Sequence, residues 1–118
     1  RGLAGRILAD AGYQVLGVAS PQEAIRITEE TAGPLDLLLT DVVMPGGING
    51  VDLANRLSTT RPHREGLYMS GYTEEAAIRF GVPRGEARFL AKPFLPDELL
   101  ARVADLLEAR DARNSGSR

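Results

Sequence analysis

The chain has 118 residues, a net charge of −2 and no cysteine, and this length fits one domain with a hydrophobic core. The absence of cysteine excludes disulfides, thiolate metal sites and a cysteine nucleophile. The slightly acidic balance argues against nucleic-acid binding as the main role, and no apolar run approaches the roughly 20 residues of a membrane span.

The chain begins with a helical pattern that is followed by a strand pattern. Three apolar residues at helical spacing predict the first helix, namely Leu3, Ile7 and Leu8. Gly12 suits the left-handed conformation that often ends a helix. The next segment, residues 13–19, is short and rich in β-branched and aromatic residues, which predicts a strand.

A capping box then starts a second helix. Ser20 is the expected N-cap, Pro21 occupies the first helical position, and Glu23 can reach back to the cap. This helix is expected to end at residues 33–34, a Gly-Pro pair. The following run, residues 35–40, is apolar on both faces after its second residue, which is typical of a central parallel strand covered on both sides.

The second half of the chain continues the alternation. Residues 51–57 form an amphipathic helical pattern, and residues 66–70 form a strand pattern. Thr73 caps a further predicted helix. Residues 87–91 are the last predicted strand, and residues 97–109 carry an apolar stripe at helical spacing.

Strict alternation of helices and strands with short connections predicts an α/β fold with a parallel sheet and right-handed crossovers. The sequence contains no internal repeat and no sign of a second domain. Ligands of such folds bind outside the carboxyl ends of the strands, so functional side chains are expected there.

Three predicted strands end in side chains that can handle phosphate. The groups at these strand ends are the carboxylate of Asp41, the hydroxyl of Ser70 and the ammonium of Lys92. Together these groups would provide a nucleophile, a hydrogen-bond donor and a neutralising charge for phosphoryl transfer. Taken singly, Asp41 and Ser70 are more often ordinary turn residues. Lys92 is the single lysine beside 13 arginines, and chance could also have placed it there.

The segment LLLTDVVMP at residues 37–45, followed by GGING at residues 46–50, resembles the phospho-acceptor loop of response-regulator receiver domains. Ser70-Gly71-Tyr72 and Lys92-Pro93-Phe94 are similar to the two other signatures of that family, in the right order and spacing. The resemblance extends to about residue 109. Residues 44–47 and 69–72 are most like receivers attached to hybrid sensor histidine kinases.

The resemblance implies a flavodoxin-like doubly wound parallel sheet with strand order 2-1-3-4-5. It places the receiver domain at residues 1–109, incomplete at its N-terminus, and leaves residues 110–118 as a polar tail. The family's first strand, which lies in the middle of the sheet, has no counterpart in this sequence. Because residue 1 is Arg rather than Met, we expect that upstream residues are missing; a rearranged or swapped sheet is the alternative.

The resemblance also implies residue roles. Asp41 would accept a phosphoryl group from a phosphohistidine, Lys92 would pair with that group or with Asp41, and Ser70 would hydrogen-bond a phosphoryl oxygen. Ser70 and Phe89 would act as switch residues. The backbone carbonyl of Val43 would join Asp41 in binding Mg²⁺.

Four more residues would shape the loops. Met44 and Pro45 would form the acceptor loop, Gly50 would allow the turn into the next helix, and Pro93 would follow a cis peptide bond. The family's remaining acidic Mg²⁺ ligands are expected upstream of Arg1, so binding of Mg²⁺ should be weak or absent in this chain. Asp10 is expected to be a surface or capping residue rather than a ligand.

The implied function is that of a phospho-accepting switch in a two-component phosphorelay. Its partner would be the phosphohistidine domain of a sensor kinase or a phosphotransfer protein, in the cytoplasm, with no nucleic-acid or membrane contact by this domain and a homodimer left open. The alternative is a pseudo-receiver that acts only in binding or dimerisation. An aspartate-nucleophile phosphatase would need a second Asp where Val43 stands, and His63 is expected to be a solvated loop residue.

Overall fold

The computed structural model describes residues 2–18, 20–31, 35–43, 49–59, 65–84 and 88–116, with side chains as far as residue 112. Its helices are α1 (Gly2–Asp10), α2 (Pro21–Glu30), α3 (Gly50–Leu57), α4 (Glu74–Arg79) and α5 (Pro96–Gly116). Its strands are β1 (Leu37–Asp41), β2 (Glu65–Ser70) and β3 (Phe89–Ala91). Among these residues, none of the helices has the length and apolar content needed to cross a membrane.

The described strands form one parallel sheet in the order β1-β2-β3. In its register Asp41 pairs with Met69 and Ser70 pairs with Ala91, so the three strands end level with one another. The α/β class and the parallel sheet are therefore confirmed. The neighbours follow chain order, as the 3-4-5 part of the expected strand order requires.

Helices cover both faces of the sheet because side chains alternate along each strand. Leu67 and Leu90 lie on the face that packs against α1 and α5. Tyr68 and Phe89, their neighbours in the chain, lie on the opposite face against α3 and α4. A smaller apolar cluster joins α2 to α3. This double covering explains why the predicted strands were almost continuously apolar.

The strand predicted at residues 13–19 is wrong over the part that the structure describes. Residues 13–18 form no strand, and Val15 and Leu16 are exposed. The expected strand order gives this segment a single neighbour, which is the central strand that the sequence does not contain. A β-branched pattern alone does not make a strand, because the backbone of a strand needs a partner.

The helix signals were more reliable. Ser20 Oγ accepts a hydrogen bond from the Glu23 N–H at 3.1 Å, and Thr73 Oγ1 accepts one from the Ala76 N–H at 3.2 Å, so both predicted caps are confirmed. Gly12 has φ +103° just after α1. The last helix, however, runs to Gly116 rather than ending at residue 109. The division of the chain between residues 109 and 110 stays a prediction.

Candidate functional site

The carboxyl ends of the three strands meet at one edge of the sheet. Asp41 is the last residue of β1, Ser70 is the last residue of β2, and Lys92 directly follows β3. Backbone hydrogen bonds between neighbouring strands continue one residue past these ends. The Val42 N–H donates to the Met69 carbonyl at 2.9 Å, and the Lys92 N–H donates to the Ser70 carbonyl at 2.8 Å. The structure thus brings together the three residues that the sequence predicted would converge.

An ion pair joins the first and third strand ends. Lys92 Nζ lies 2.5 Å from Asp41 Oδ1, and the two side chains are 44% and 42% exposed. Asp41 Oδ1 itself is buried, and the Lys92 ammonium is the charged group that lies against it. The exposed surface of the Asp41 side chain therefore belongs to its other atoms. Of the two carboxylate oxygens, we therefore infer that Oδ2 is the one that an approaching group can reach.

Ser70 lies beside this pair with its side chain buried. Its Oγ accepts a hydrogen bond from the Tyr72 N–H at 2.9 Å. A hydroxyl that accepts one hydrogen bond still has its own hydrogen to donate. Ser70 can therefore donate to an oxygen placed at the end of the sheet without giving up the bond that orients it.

Gly50 holds the start of α3 against the end of β1. Its N–H donates to the Val42 carbonyl at 2.7 Å, and Asn49 Oδ1 caps the helix by accepting from the Asp52 N–H at 2.8 Å. A Cβ at position 50 would lie 2.1 Å from the Asp41 carbonyl oxygen. Glycine is thus required here by close approach, and φ of Gly50 is not positive.

The remaining predicted residues are placed as follows. Val43 is exposed, two residues beyond Asp41, and Phe89 is buried in the core between the sheet and α4. The Lys92–Pro93 peptide bond is cis, as the resemblance implied. Asp10 is exposed at the end of α1. Three further residues fall outside the described part of the chain: Met44, Pro45 and His63.

The described residues contain no group of three or more His, Cys, Asp or Glu side chains that could hold a metal ion. Asp41 supplies one carboxylate at the strand ends, and Val43 could add a backbone carbonyl. Both are hard oxygen donors of the kind that Mg²⁺ prefers. Among the described residues, these two donors are too few to form a magnesium site by themselves.

Sequence reasoning missed a second ion pair at the opposite end of the sheet. Glu65 begins β2 and is 2% exposed, and its Oε1 lies 2.7 Å from Nη1 of Arg88, which directly precedes β3. The strand pattern in the sequence starts one residue later, at residue 66, because Glu65 ends a polar run that is typical of a loop. The sequence offers no local signal for this pair, because Arg88 is far from Glu65 in the chain and the pairing depends on strand register, which periodicity does not give.

Comparison with known proteins gives consistent matches. Residues 1–104 match the response regulator receiver domain family. Sensor kinase CckA of Brucella abortus (strain 2308) is 38% identical over 106 residues, which make up 90% of this chain and 11% of that protein. Response regulator SaeR of Staphylococcus aureus (strain USA300) is 28% identical over 96 residues, or 81% of this chain and 40% of SaeR. The chain therefore spans less than half the length of these relatives.

Solved structures show the same architecture. A response regulator receiver protein from Sinorhizobium medicae WSM419 superposes with a TM-score of 0.77 at 30% identity, covering 91% of this chain and 84% of that one. A CheY-like receiver domain protein from Methanospirillum hungatei JF-1 gives a TM-score of 0.77 at 24% identity, covering 93% and 86%. The second likeness concerns the fold alone.

Proposed function

Because the chain belongs to the response regulator receiver domain family, we propose that it is the phospho-accepting switch of a two-component phosphorelay. Asp41 takes the phosphoryl group from a phosphohistidine. The observation that carries this proposal is the arrangement at the end of β1, where Lys92 Nζ lies 2.5 Å from the buried oxygen of Asp41 while the Asp41 side chain as a whole stays 42% exposed.

The transfer needs little from the protein beyond position and charge. Asp41 Oδ2 forms a bond to phosphorus while the nitrogen–phosphorus bond of the phosphohistidine breaks, and the histidine nitrogen keeps the electron pair and takes a proton from solvent. Two anions must approach each other for this to happen. The Lys92 ammonium offsets part of their repulsion, and the Ser70 hydroxyl donates to a phosphoryl oxygen.

Phosphorylation then changes the local charge and so the structure around it. One carboxylate charge becomes nearly two, with new acceptor oxygens that attract Ser70 and Lys92. The Lys92 N–H is bonded to the Ser70 carbonyl, so a movement of one strand end is transmitted to the other. Phe89, packed between the sheet and α4, is the side chain that changes its position in response to this movement. The surface formed by α4, β3 and α5 is the read-out surface. The coupling free energy between phosphorylation of Asp41 and the state of this surface is about 1–3 kcal/mol.

We propose that Mg²⁺ assists this transfer. Asp41 and the Val43 carbonyl are the residues of this chain that would hold the ion, and it would supply further charge neutralisation. With a single carboxylate ligand, half-saturation should need Mg²⁺ well above the level that a complete acidic cluster requires. Measuring the labelling rate at increasing Mg²⁺ concentrations gives the concentration at half-saturation.

The proposed partner is the phosphohistidine domain of a sensor kinase or of a phosphotransfer protein, and the proposed location is the cytoplasm. The similarity to sensor kinase CckA supports the proposal that this domain is either part of a sensor kinase or receives its phosphoryl group from one. Whether the domain forms a homodimer can be measured by sedimentation.

The test is labelling of the whole chain with N-phosphoimidazole, a small phosphohistidine analogue, in the presence of Mg²⁺. Intact mass should show one added phosphoryl group on the wild type and on Asp52→Asn, an exposed acid in the first turn of α3. Asp41→Asn should show none. Labelling that persists in Asp41→Asn would contradict the acceptor assignment. A wild type that is never labelled would favour the alternative of a phosphorylation-independent binding module.

A further inference from the structure

A buried threonine directly precedes Asp41 in a strand that otherwise consists of leucines. The strand β1 has the sequence LLLTD, and Thr40 is 6% exposed. Burial by itself would favour another apolar side chain at this position, because a hydroxyl that leaves water without a hydrogen bond is destabilising. The Thr40 hydroxyl therefore needs a partner inside the protein, and that partner is part of the candidate site.

The Thr40 hydroxyl donates to the backbone carbonyl of Asp41, with 3.0 Å between Oγ1 and the carbonyl oxygen. The start of α3 lies against the same carbonyl: a Cβ added to Gly50 would be 2.1 Å from the Asp41 oxygen and 2.8 Å from Thr40 Cγ2. The side chain of Thr40 and the backbone of Gly50 thus enclose the Asp41 carbonyl. Its oxygen has little room to move, and the hydroxyl fixes its direction.

The other end of the same peptide group is also held. The peptide group between Asp41 and Val42 is planar, so its carbonyl and its N–H must turn together. The Val42 N–H donates to the Met69 carbonyl at 2.9 Å, which ties this group to β2. With the Thr40 hydroxyl on its oxygen and the Met69 carbonyl on its N–H, the peptide group is fixed at both ends.

The orientation of this peptide group decides where the Asp41 side chain points. Pairing of β1 with β2 holds the chain before Asp41, and the fixed peptide group holds the chain after it, so the Cα–Cβ bond of Asp41 has one direction. A rotation of the peptide group would move both carboxylate oxygens relative to Lys92, whose Nζ lies 2.5 Å from Oδ1. Phosphoryl transfer depends on such alignment, and a displacement of about 1 Å can lower a rate about a hundredfold.

We propose that Thr40 is a positioning residue for phosphorylation of Asp41. Its hydroxyl acts through the Asp41 carbonyl and holds the carboxylate in the orientation that accepts the phosphoryl group. The inference rests on the proposed function, because it assigns a further residue to that reaction. Thr40 is buried, so it acts on the reaction through the backbone of Asp41 rather than by touching the donor.

The test compares variants of position 40 by the rate at which N-phosphoimidazole labels them, with the Mg²⁺ concentration held constant. Thr40→Val keeps the shape of the side chain and removes the hydroxyl, so labelling should slow about tenfold. Thr40→Ser keeps the hydroxyl and should retain at least about half of the wild-type rate. Thr40→Ala differs from Thr40→Ser by the hydroxyl alone, so it should be as slow as Thr40→Val and repeats the comparison if Thr40→Val does not fold.

Two measures separate positioning from a general loss of structure. Urea denaturation of each variant gives the folded fraction, and the labelling rates are expressed per folded molecule. Thr28→Val is the matched control, because Thr28 is a second buried threonine, 9% exposed, whose Oγ1 donates to the Ala24 carbonyl at 2.7 Å within α2. This variant also loses a hydrogen bond to a backbone carbonyl, but one that does not belong to Asp41, so it should be labelled at the wild-type rate.

The outcomes distinguish this inference from the proposed function. If the wild type is labelled at Asp41 and Thr40→Val or Thr40→Ala keeps the wild-type rate per folded molecule, the role of Thr40 is overturned and the proposed function stands. Thr40→Ser as slow as Thr40→Ala also overturns it, because the methyl group rather than the hydroxyl would then be what matters. Equal slowing in Thr28→Val overturns it as well. Failure of N-phosphoimidazole to label the wild type removes the proposed function and this inference with it.

Discussion

The two ends of the sheet carry the same kind of contact in different surroundings. At the carboxyl end, Asp41 and Lys92 are 2.5 Å apart and nearly half exposed. At the amino end, Glu65 and Arg88 are 2.7 Å apart, and the Glu65 side chain is almost wholly buried. Each pair joins two strands, yet one offers its carboxylate to solvent and the other encloses it.

The difference separates a contact that holds the fold from one that is available for chemistry. A buried charge is costly without its partner, so the Glu65–Arg88 pair is locked by desolvation. An exposed pair contributes little to stability, so Asp41 and Lys92 can exchange partners at small cost when a phosphoryl group arrives. Lysine suits that role, because its ammonium is a compact charge on a flexible stem, whereas arginine forms a fixed planar fork.

Replacing Arg88 should break the buried pair and give the largest effect. Arg88→Met leaves the Glu65 carboxylate buried without that cation, and we expect the free energy of unfolding to fall by about 3 kcal/mol. Urea denaturation measures the loss. Arg79→Met, which removes an exposed guanidinium from the last turn of α4, should stay within about 0.5 kcal/mol of the wild type. A similar small loss for Arg88→Met would mean that Glu65 does not depend on this partner.

The next largest effect should come from Gly50. At this position the close approach of two backbone segments, rather than a charge, decides which residue fits at the carboxyl end of the sheet. Gly50→Ala places a Cβ 2.1 Å from the Asp41 carbonyl oxygen, so α3 and the end of β1 must separate. We expect about 2 kcal/mol of destabilisation and slower labelling of Asp41 in the folded fraction. Gly71→Ala is the control, since nothing lies within 4 Å of its added Cβ and its φ is not positive. That variant should be neutral or slightly stabilised.

The exposed pair should respond in the opposite way to the buried one. Lys92→Met should change the free energy of unfolding by about 1 kcal/mol or less, because both partners are accessible to water. Labelling by N-phosphoimidazole should nevertheless slow at least about tenfold, since the charge that neutralises the incoming phosphoryl group is gone. Lys92→Arg should recover only part of the rate. A stability loss as large as that of Arg88→Met would erase the distinction between the two ends.

The sequence predicted the site better than it predicted the sheet. Asp41, Ser70 and Lys92 could be grouped in advance because each stands where an apolar strand stops, and parallel strands end at one edge. Helix starts were equally visible, since Ser20 and Thr73 act through contacts three residues away. Strand formation at residues 13–19 could not be judged locally, because it depends on a neighbour distant in the chain or outside it.

Contacts that depend on three-dimensional approach were hidden for the same reason. Gly50 was expected to permit a turn, but the structure shows it making room for the carbonyl of Asp41. The Glu65–Arg88 pair requires knowing that β2 and β3 are adjacent and in register. Arg110, assigned from the sequence to a polar tail, donates from α5 to Asp36 at the start of the sheet. In each case the missing information was a distance between elements.

The smallest effect should come from Arg110, whose surroundings are intermediate between those of the two pairs. Its guanidinium donates to Asp111 and Asp36, and these hydrogen bonds raise the pKa of Arg110 above its already high value, so the charge is permanent. Both carboxylates are more than half exposed, so Arg110→Gln should cost about 1 kcal/mol or less, and less still at high salt. Urea denaturation at two salt concentrations checks this, with Arg26→Gln as the control for a fully surface pair with Glu30. If Arg110→Gln cost as much as Arg88→Met, exposure of the carboxylate would not be what makes a pair dispensable, and the ready exchange of partners inferred for Asp41 would lose its physical basis.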